Sequence, residues 1–130
     1  MDATTLAGLY RAYIACLNRQ DWSELGHHVD EAVEHNGRRL GLSGYRGMLI
    51  KDFEDIPDLA FHIELLVCEP PLVAARLAFD CTPKSGFLGL KLDGRRVSFT
   101  ENVFYTFKAG KIVTVWSVID KAAIEAQLEL

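Results

Sequence analysis

The chain has few cysteines, and their placement argues against a fold held together by disulfides. Its 130 residues include only Cys16, Cys68 and Cys81, with no CxxC spacing, and each lies in an apolar segment. An odd number of cysteines in such segments is typical of reduced core thiols rather than of a disulfide framework. We therefore expect the protein in a reducing cytoplasm.

Long apolar runs are also missing. No run approaches the roughly 18 residues of a membrane-spanning helix, and the first residues lack the basic start and apolar stretch of a signal peptide. We expect no membrane association, and we expect the mature chain to be the whole chain.

A concentrated basic surface is absent as well. The formal net charge is -4, and the tightest basic groups are the doublets Arg38-Arg39 and Arg95-Arg96. Proteins that follow a phosphate backbone carry a stripe of lysines and arginines. We therefore expect no nucleic-acid partner.

The usual signatures of nucleophilic and metal chemistry are not found. No GxSxG elbow occurs, and no cysteine has a basic partner at a readable spacing. His27, His28, Asp30 and His35 lie close in sequence. They form neither an i,i+4 pair on a helix nor an HxH on a strand, so the sequence predicts no metal site.

What the chain does have is apolar mass. It is 49% hydrophobic and 25% charged, which suits one domain over residues 1–130 with a core and room for a small cavity. No internal repeat or linker divides it.

Helical periodicity occupies the first half. Apolar residues at steps of three and four predict a helix over 4–18. In "DWSEL", Asp21 is a candidate N-cap of a short second helix that Gly26 ends. Ser43 is a candidate cap of a third helix, which Pro57 stops.

The second half alternates with period two. After an extended piece at 29–33, strands are predicted over 60–69, 72–82, 95–108 and 111–120, separated by turns such as Asp93-Gly94 and Ala109-Gly110. The segment "KSGFLGLKLDG" is interpreted as a long loop. Helices followed by hairpins predict an α+β domain, in which helices cover one face of a strongly curved antiparallel sheet that encloses a pocket.

The register of the last hairpin predicts which side chains share a face. With Ala109-Gly110 as a two-residue turn, Lys108 pairs with Lys111, and each outward step adds one residue to both strands. The residues then predicted on one side are Phe99, Glu101, Val103, Tyr105, Trp116 and Asp120. A bulge would change this assignment.

Two acids on an apolar and aromatic face are typical of a ligand pocket. A carboxylate there loses hydration, so its pKa rises toward neutral pH. Asp120 is the candidate general base or acid, with Glu101 as its partner. Two alternatives stay open: Asp120 caps the helix that starts at Lys121, or a register slip places Glu101 on the solvent side.

Other polar residues are candidates for substrate binding. His35 and Asn36 precede Gly37 and could reach a pocket mouth, although a polar loop is the alternative. His62 lies on an apolar strand, where a half-buried structural histidine is the alternative. Arg76 interrupts an apolar strand, and a structural ion pair is the expected explanation.

The order of four segments resembles a known family. "HNG", "IPDLAFHIELLVCEPPLVAARLAFDCTPKSGFLG", "GRRVSF" and "GKIVTVWSVIDKAAIEAQL" are similar to the SnoaL-like polyketide cyclases, or ester cyclases, of the ketosteroid isomerase and nuclear transport factor superfamily. The resemblance covers nearly the whole chain after the first helix.

The resemblance implies a cystatin-like α+β cone with an interior pocket, a homodimer or tetramer, and neither cofactor nor metal. It also implies an intramolecular aldol cyclisation in which a pocket aspartate, Asp120 here, is the acid/base. The family's assisting histidine corresponds to Val103 and is absent. This favours a divergent member.

Three functional hypotheses follow. The first is acid/base catalysis next to a carbonyl on a small hydrophobic, carbonyl-containing molecule, with a polyketide as one candidate, giving cyclisation or isomerisation. Tyr105 would donate a hydrogen bond to the oxyanion. The second is a non-catalytic small-molecule-binding protein with the same cavity. The third is a structural module that dimerises through the outer face of the sheet.

Overall fold

A computed structural model of the chain describes residues 1–129 and shows N-terminal helices packed on an open, curved sheet. The helices are α1 (Ala3–Asn18), a 3-10 helix (Trp22–His27), α2 (Gly41–Asp55) and α3 (Lys121–Leu128). The strands are β1 (Val29–His35), β2 (Arg38–Arg39), β3 (His62–Glu69), β4 (Leu72–Cys81), β5 (Gly86–Phe87), β6 (Leu90–Lys91), β7 (Val97–Lys108) and β8 (Lys111–Ile119). The predicted α+β architecture is confirmed.

The helices follow the apolar periodicity, whereas their caps differ in part from the prediction. Helix α1 begins after Asp2, whose carboxylate accepts a hydrogen bond from the Thr5 amide at 2.8 Å. The predicted second helix is a 3-10 turn, and the side chain of Asp21 does not cap it. Helix α2 begins at Gly41, so the prediction that Ser43 caps it was wrong. It ends before Pro57, as predicted.

The main sheet has the strand order β2-β1-β8-β7-β4-β3. The antiparallel meander of β3, β4, β7 and β8 is confirmed. The sheet as a whole is mixed, because β1 pairs in parallel with β8. Such a pairing joins segments far apart in sequence, so local alternation could not predict it. Within the predicted loop, β5 and β6 form a separate small hairpin.

A β-bulge in β8 shifts the predicted register by one residue. Lys108 pairs with Lys111 across the predicted turn. Beyond the turn, Phe107 pairs with Ile112 but Thr106 pairs with Thr114, so that Val113 is the extra residue. A bulge of this kind reverses which side chains face inward.

The shift changes the partners of β7. Val103 pairs with Ser117, and Glu101 pairs with Ile119. Counting outward from Lys108 and Lys111 without a bulge would pair Val103 with Trp116 and Phe99 with Asp120, so that predicted register was wrong. Trp116 lies on the convex side of the sheet instead of beside Glu101.

The concave face of the sheet and the helices share one core. Inward-facing residues of β4, β7 and β8 pack against the apolar stripes of α1 and α2. All three cysteines are free thiols, and Cys16 and Cys81 are buried, as expected for core positions. Among residues 1–129, no helix has the length and apolar character needed to cross a membrane.

The convex side of the sheet, called the outer face below, is unusually apolar for an exposed surface. Its exposed large side chains are Leu65, Val67, Leu72, Phe104, Trp116 and Val118. The pairing places Val67, Ala74, Phe104 and Trp116 in one row across four strands. The row is therefore a continuous surface rather than a set of scattered residues.

Candidate active site

A cavity of about 230 Å³ lies between the concave face of the sheet and helices α1 and α2. One part of its wall is an aromatic cluster of Phe61, Phe79, Phe87 and Phe99. The ring centroids of Phe79 and Phe99 are stacked 5.1 Å apart. Phe61 lies edge-on to Phe79 at 5.2 Å, and Phe87 lies 5.5 Å from Phe99. Rings at these distances form a preorganised apolar surface.

Glu101 places a carboxyl group in this apolar cavity. It lies on β7 between Phe99 and Val103, which also line the cavity. Burial is the main reason that the pKa of Glu101 is raised to about 7; the side chain of Ser117 lowers this pKa, and the charge of Asp52 raises it. Glu101 is therefore present in both protonation states near neutral pH, which is what a proton-transfer group requires.

Asp52 is a second acid in the same cavity, and the sequence analysis missed it. It lies on the inward face of α2. The lining residues of that helix face are Tyr45, Met48, Leu49, Asp52 and Ile56. Burial raises the pKa of Asp52 to about 6, with a further increase from the charge of Asp55 and an opposing effect from Lys51. Asp52 falls within the steps of three and four residues that define the inward face of this helix. An acid at such a position could have been recognised from the sequence.

His35, Asn36 and Ser117 connect β1 to the last strand. The Oγ atom of Ser117 lies 3.4 Å from Nε2 of His35 inside the cavity. Burial, together with the charge of Arg38, lowers the pKa of His35, so the imidazole is neutral at pH 7. The side chain of Asn36 accepts a hydrogen bond from the Ser117 amide at 2.8 Å and donates to its carbonyl at 3.3 Å. Asn36 therefore fixes the strand that carries Ser117.

Four buried tyrosines complete the polar side of the core. The hydroxyls of Tyr13 and Tyr45 are 2.7 Å apart, and the hydroxyl of Tyr10 donates to that of Tyr105 at 3.1 Å. Burial raises the pKa of all four phenols. They are neutral hydrogen-bond donors, and all but Tyr10 line the cavity.

The structure brings together only part of the predicted set. The predicted site residues that line the cavity are Phe99, Glu101, Val103, Tyr105 and His35. Asn36 supports Ser117 from outside the lining. Trp116 is 53% exposed on the outer face, so the expectation that it faces the pocket was wrong.

Asp120 lies on the other side of the sheet from Glu101. Its carboxylate accepts a hydrogen bond from the Ala123 amide at 3.1 Å and is the N-cap of α3. The structure therefore shows the alternative in which Asp120 caps the helix that starts at Lys121. The prediction that Asp120 shares a face with Glu101 was wrong because Val113 bulges.

Asp120 and His62 border a groove of about 620 Å³ on the outer side. Arg76 pairs there with Glu64 at 2.9 Å, so the expected ion pair is confirmed. His62 is exposed. Within residues 1–129, no group of three or more His, Cys, Asp or Glu side chains is arranged to hold a metal ion.

Solved structures share this fold closely. A SnoaL-like polyketide cyclase from Agrobacterium tumefaciens str. C58 is 58% identical, covers 99% of this chain and 100% of its own, and has a TM-score of 0.95. TsrD from Streptomyces laurentii is 24% identical, covers 98% of this chain and 97% of its own, and has a TM-score of 0.84. IdmH from Streptomyces antibioticus is 20% identical, covers 96% of this chain and 99% of its own, and has a TM-score of 0.82.

Among curated proteins, no match to the chain is found. The family model for SnoaL-like polyketide cyclases matches residues 7–128. That match spans both sides of the cavity, including the helix that carries Asp52 and the strand that carries Glu101. The chain belongs to the SnoaL-like polyketide cyclase family.

Proposed function

We propose that the protein catalyses proton transfer next to a carbonyl group of a small hydrophobic molecule, without a cofactor, leading to cyclisation or isomerisation. The observation that carries this proposal is Glu101, an acid whose pKa is raised to about 7 inside an aromatic cavity. Membership of the SnoaL-like cyclase family supports a cyclase-type reaction.

The reaction proceeds through an enolate or enol. Removal of the proton from the carbon next to the carbonyl breaks a C–H bond and moves the electron pair onto the carbonyl oxygen. Glu101 exchanges protons with the substrate because both of its forms are present near pH 7. In a cyclisation, the enol carbon attacks a second carbonyl of the same molecule, whose oxygen takes up the proton. In an isomerisation, another carbon is protonated.

Tyr105 is the proposed hydrogen-bond donor to the developing oxyanion. Its hydroxyl accepts a hydrogen bond from Tyr10. Among the described residues no acceptor takes the proton of Tyr105, so this proton is available to a ligand in the cavity. A preorganised donor of this kind stabilises charge that develops on oxygen in a dry site.

The size of the cavity limits the substrate. A protein cavity of about 150 Å³ accommodates benzene, and the cavity here is about 230 Å³. The aromatic cluster favours a flat ring. We therefore propose a carbonyl compound of one or two fused rings rather than an extended polycyclic polyketide.

The exchange of carbon-bound protons for deuterium tests the proposal without knowledge of the natural substrate. The probe is 2-tetralone, a two-ring ketone, whose signals next to the carbonyl are followed by proton NMR in D₂O. We expect the wild-type protein to accelerate exchange and Glu101→Gln to lose this activity by about 100-fold or more, the usual size of an acid/base contribution.

The matched control is Glu64→Gln, since Glu64 is an exposed acid on the outer side of the sheet. This variant is expected to exchange protons at the wild-type rate. Equal rates for Glu101→Gln and the wild type would contradict the proposed function.

One observation favours a binding protein as a second candidate. Val103 stands where the family's assisting histidine is expected, so the wall beside Glu101 is apolar. A protein that only binds would retain 2-tetralone, detected by changes in the protein's NMR spectrum, and would leave its exchange rate unchanged.

The outer face supports a further proposal, a homodimer in which two copies cover their apolar sheets. The exposed row contains Phe104, 61% exposed, and Trp116, 53% exposed. Exposed apolar surfaces of this extent are typical of interaction sites.

The cytoplasmic location also stays a proposal, supported by the three free thiols.

A further inference from the structure

We propose that Asp52 is a second catalytic group of this cavity, acting with Glu101 so that one carboxylate takes a proton from carbon while the other carboxyl protonates the carbonyl oxygen. This inference rests on the proposed function and assigns the two proton-transfer steps to two residues.

The geometry that carries it is the placement of the two acids on different walls of one cavity. Asp52 reaches the cavity from helix α2, and Glu101 reaches it from strand β7 of the sheet. The carboxyl groups of both residues therefore line the space that a flat ligand between the helix and the sheet would occupy. An acid and a base on two sides of a substrate can act on two of its atoms in one step.

Asp52 has no evident structural task. Among residues 1–129, no hydrogen bond or ion pair engages its carboxyl group, whereas the neighbouring Asp55 binds Lys51 at 3.0 Å. The lining residues on either side of Asp52 along the helix face, Leu49 and Ile56, are apolar and buried. An acid placed among them lowers stability, and such a cost is typical of functional positions.

The surroundings of Asp52 and Glu101 give the two residues different roles in proton transfer. The pKa of Asp52 is raised to about 6 and that of Glu101 to about 7, in both cases chiefly by burial. An ionised Asp52 raises the pKa of Glu101, so the pair favours a state in which Asp52 carries the negative charge and Glu101 carries the proton. Asp52 is then the base toward carbon, and Glu101 is the acid toward the carbonyl oxygen.

The protons balance over one turnover. Asp52 gains the proton from carbon while Glu101 gives its proton to the carbonyl oxygen, which yields an enol. In a cyclisation, the enol carbon bonds to the second carbonyl carbon and Asp52 returns its proton to that carbonyl's oxygen. The original enol oxygen then returns its proton to Glu101 as the first carbonyl re-forms.

Other titratable groups face the same pair, and a pH experiment must account for them. In the cavity these are Tyr13, His35, Tyr45 and Tyr105. Outside it, Asp55 and Lys51 influence Asp52. The phenols stay neutral because burial raises their pKa, and His35 stays neutral above its lowered pKa. The two carboxyl groups therefore dominate at pH values above the lowered pKa of His35.

The test compares exchange of 2-tetralone by the wild type, Asp52→Asn, Glu101→Gln and the control Glu54→Gln, which removes an exposed charge from the same helix. We expect a bell-shaped pH dependence of the exchange rate in the wild type, with an acidic limb near the pKa of Asp52 and an alkaline limb near the pKa of Glu101. Asp52→Asn is expected to lower the rate by about 100-fold or more and to remove the acidic limb. Glu54→Gln is expected to change neither.

A carboxyl titration by carbon-detected NMR gives an independent reading. Neutralising Asp52 should lower the pKa of Glu101, because the charge of Asp52 raises it. If Asp52→Asn does not fold, as judged by circular dichroism, Asp52→Ser and the wild-type pH profile provide the test. A wild-type profile with a single limb would overturn the pair.

The outcomes separate the two proposals. Loss of exchange in Glu101→Gln with full exchange in Asp52→Asn would overturn the role of Asp52 and leave the proposed function standing. Full exchange in both variants would overturn both proposals. Loss in both, with the acidic limb gone in Asp52→Asn, is the result that we expect.

Discussion

The hydroxyl oxygen of Ser117 lies 3.4 Å from Nε2 of His35, and the same side chain lowers the pKa of Glu101, which burial raises. Ser117 thus joins the neutral imidazole to the acid that we propose transfers protons. The polar side chain of Ser117 holds the pKa of Glu101 lower than burial alone would set it.

Replacing Ser117 by Ala should therefore raise the pKa of Glu101 above about 7. The pH range in which Glu101 is ionised would move upward, and the alkaline limb of proton exchange would move with it. Carbon-detected titration of the Glu101 carboxyl measures the change. Thr114→Ala, on the outer face of the same strand, is the control, and an unchanged pKa in Ser117→Ala would refute the predicted contact.

Asp120 is predicted to affect stability and not proton exchange. Asn is as good an N-cap as Asp, so Asp120→Asn should keep both the exchange rate and the free energy of unfolding. Asp120→Ala should lose about 1 kcal/mol, since it removes the cap of α3. Urea denaturation measures the difference. Loss of exchange in Asp120→Asn, with exchange intact in Glu101→Gln, would return the catalytic role to Asp120.

Glu101 should lower stability at alkaline pH. Its pKa is about 7 in the folded protein and near 4.5 when unfolded, so between these values the folded state binds more protons than the unfolded state. The free energy of unfolding therefore falls as pH rises from about 4.5 to about 7, by on the order of 3 kcal/mol.

Glu101→Gln removes this ionisation and should be more stable than the wild type at pH 8. At pH 4 the difference should largely disappear. Urea denaturation at the two pH values, with Glu125→Gln as the exposed control, measures the effect. A variant less stable than the wild type at pH 8 would argue against a desolvated carboxylate.

The outer face gives a prediction about assembly. Trp116→Arg places a charge at one end of the exposed apolar row and should convert the proposed dimer to a monomer. Light scattering after size exclusion measures the mass in solution. Ala12→Arg, at an exposed position of α1, adds the same side chain elsewhere and should leave the dimer intact. A monomeric wild-type protein would refute the proposal directly.

The elements of the fold were predictable because each has a local signal. The apolar stripe around Tyr10 and the turn at Ala109-Gly110 depend only on neighbours in sequence. The pairing of β1 with β8 joins Glu34 to Thr114, and no local pattern encodes such a contact. It had to come from the three-dimensional structure.

The site was predictable in part for a similar reason. Alternation along β7 correctly grouped Phe99, Glu101, Val103 and Tyr105, since this strand pairs regularly with β4. The bulge at Val113 has no clear sequence signature, and it reversed the faces of Trp116 and Asp120. Asp52 was missed because the sequence analysis of α2 considered the two ends of this helix and not an acid on its inward face.

The small hairpin β5–β6 has a consequence for how such proteins diversify. It contributes Phe87 and Leu88 to the cavity wall but belongs to a sheet of its own. Surface segments tolerate changes in length at low cost in stability. Insertions or deletions there can resize the chamber while the pairing of β7 with β8, and with it the orientation of Glu101, is retained. Evolution can thus alter ligand choice in this scaffold without rebuilding its proton-transfer chemistry.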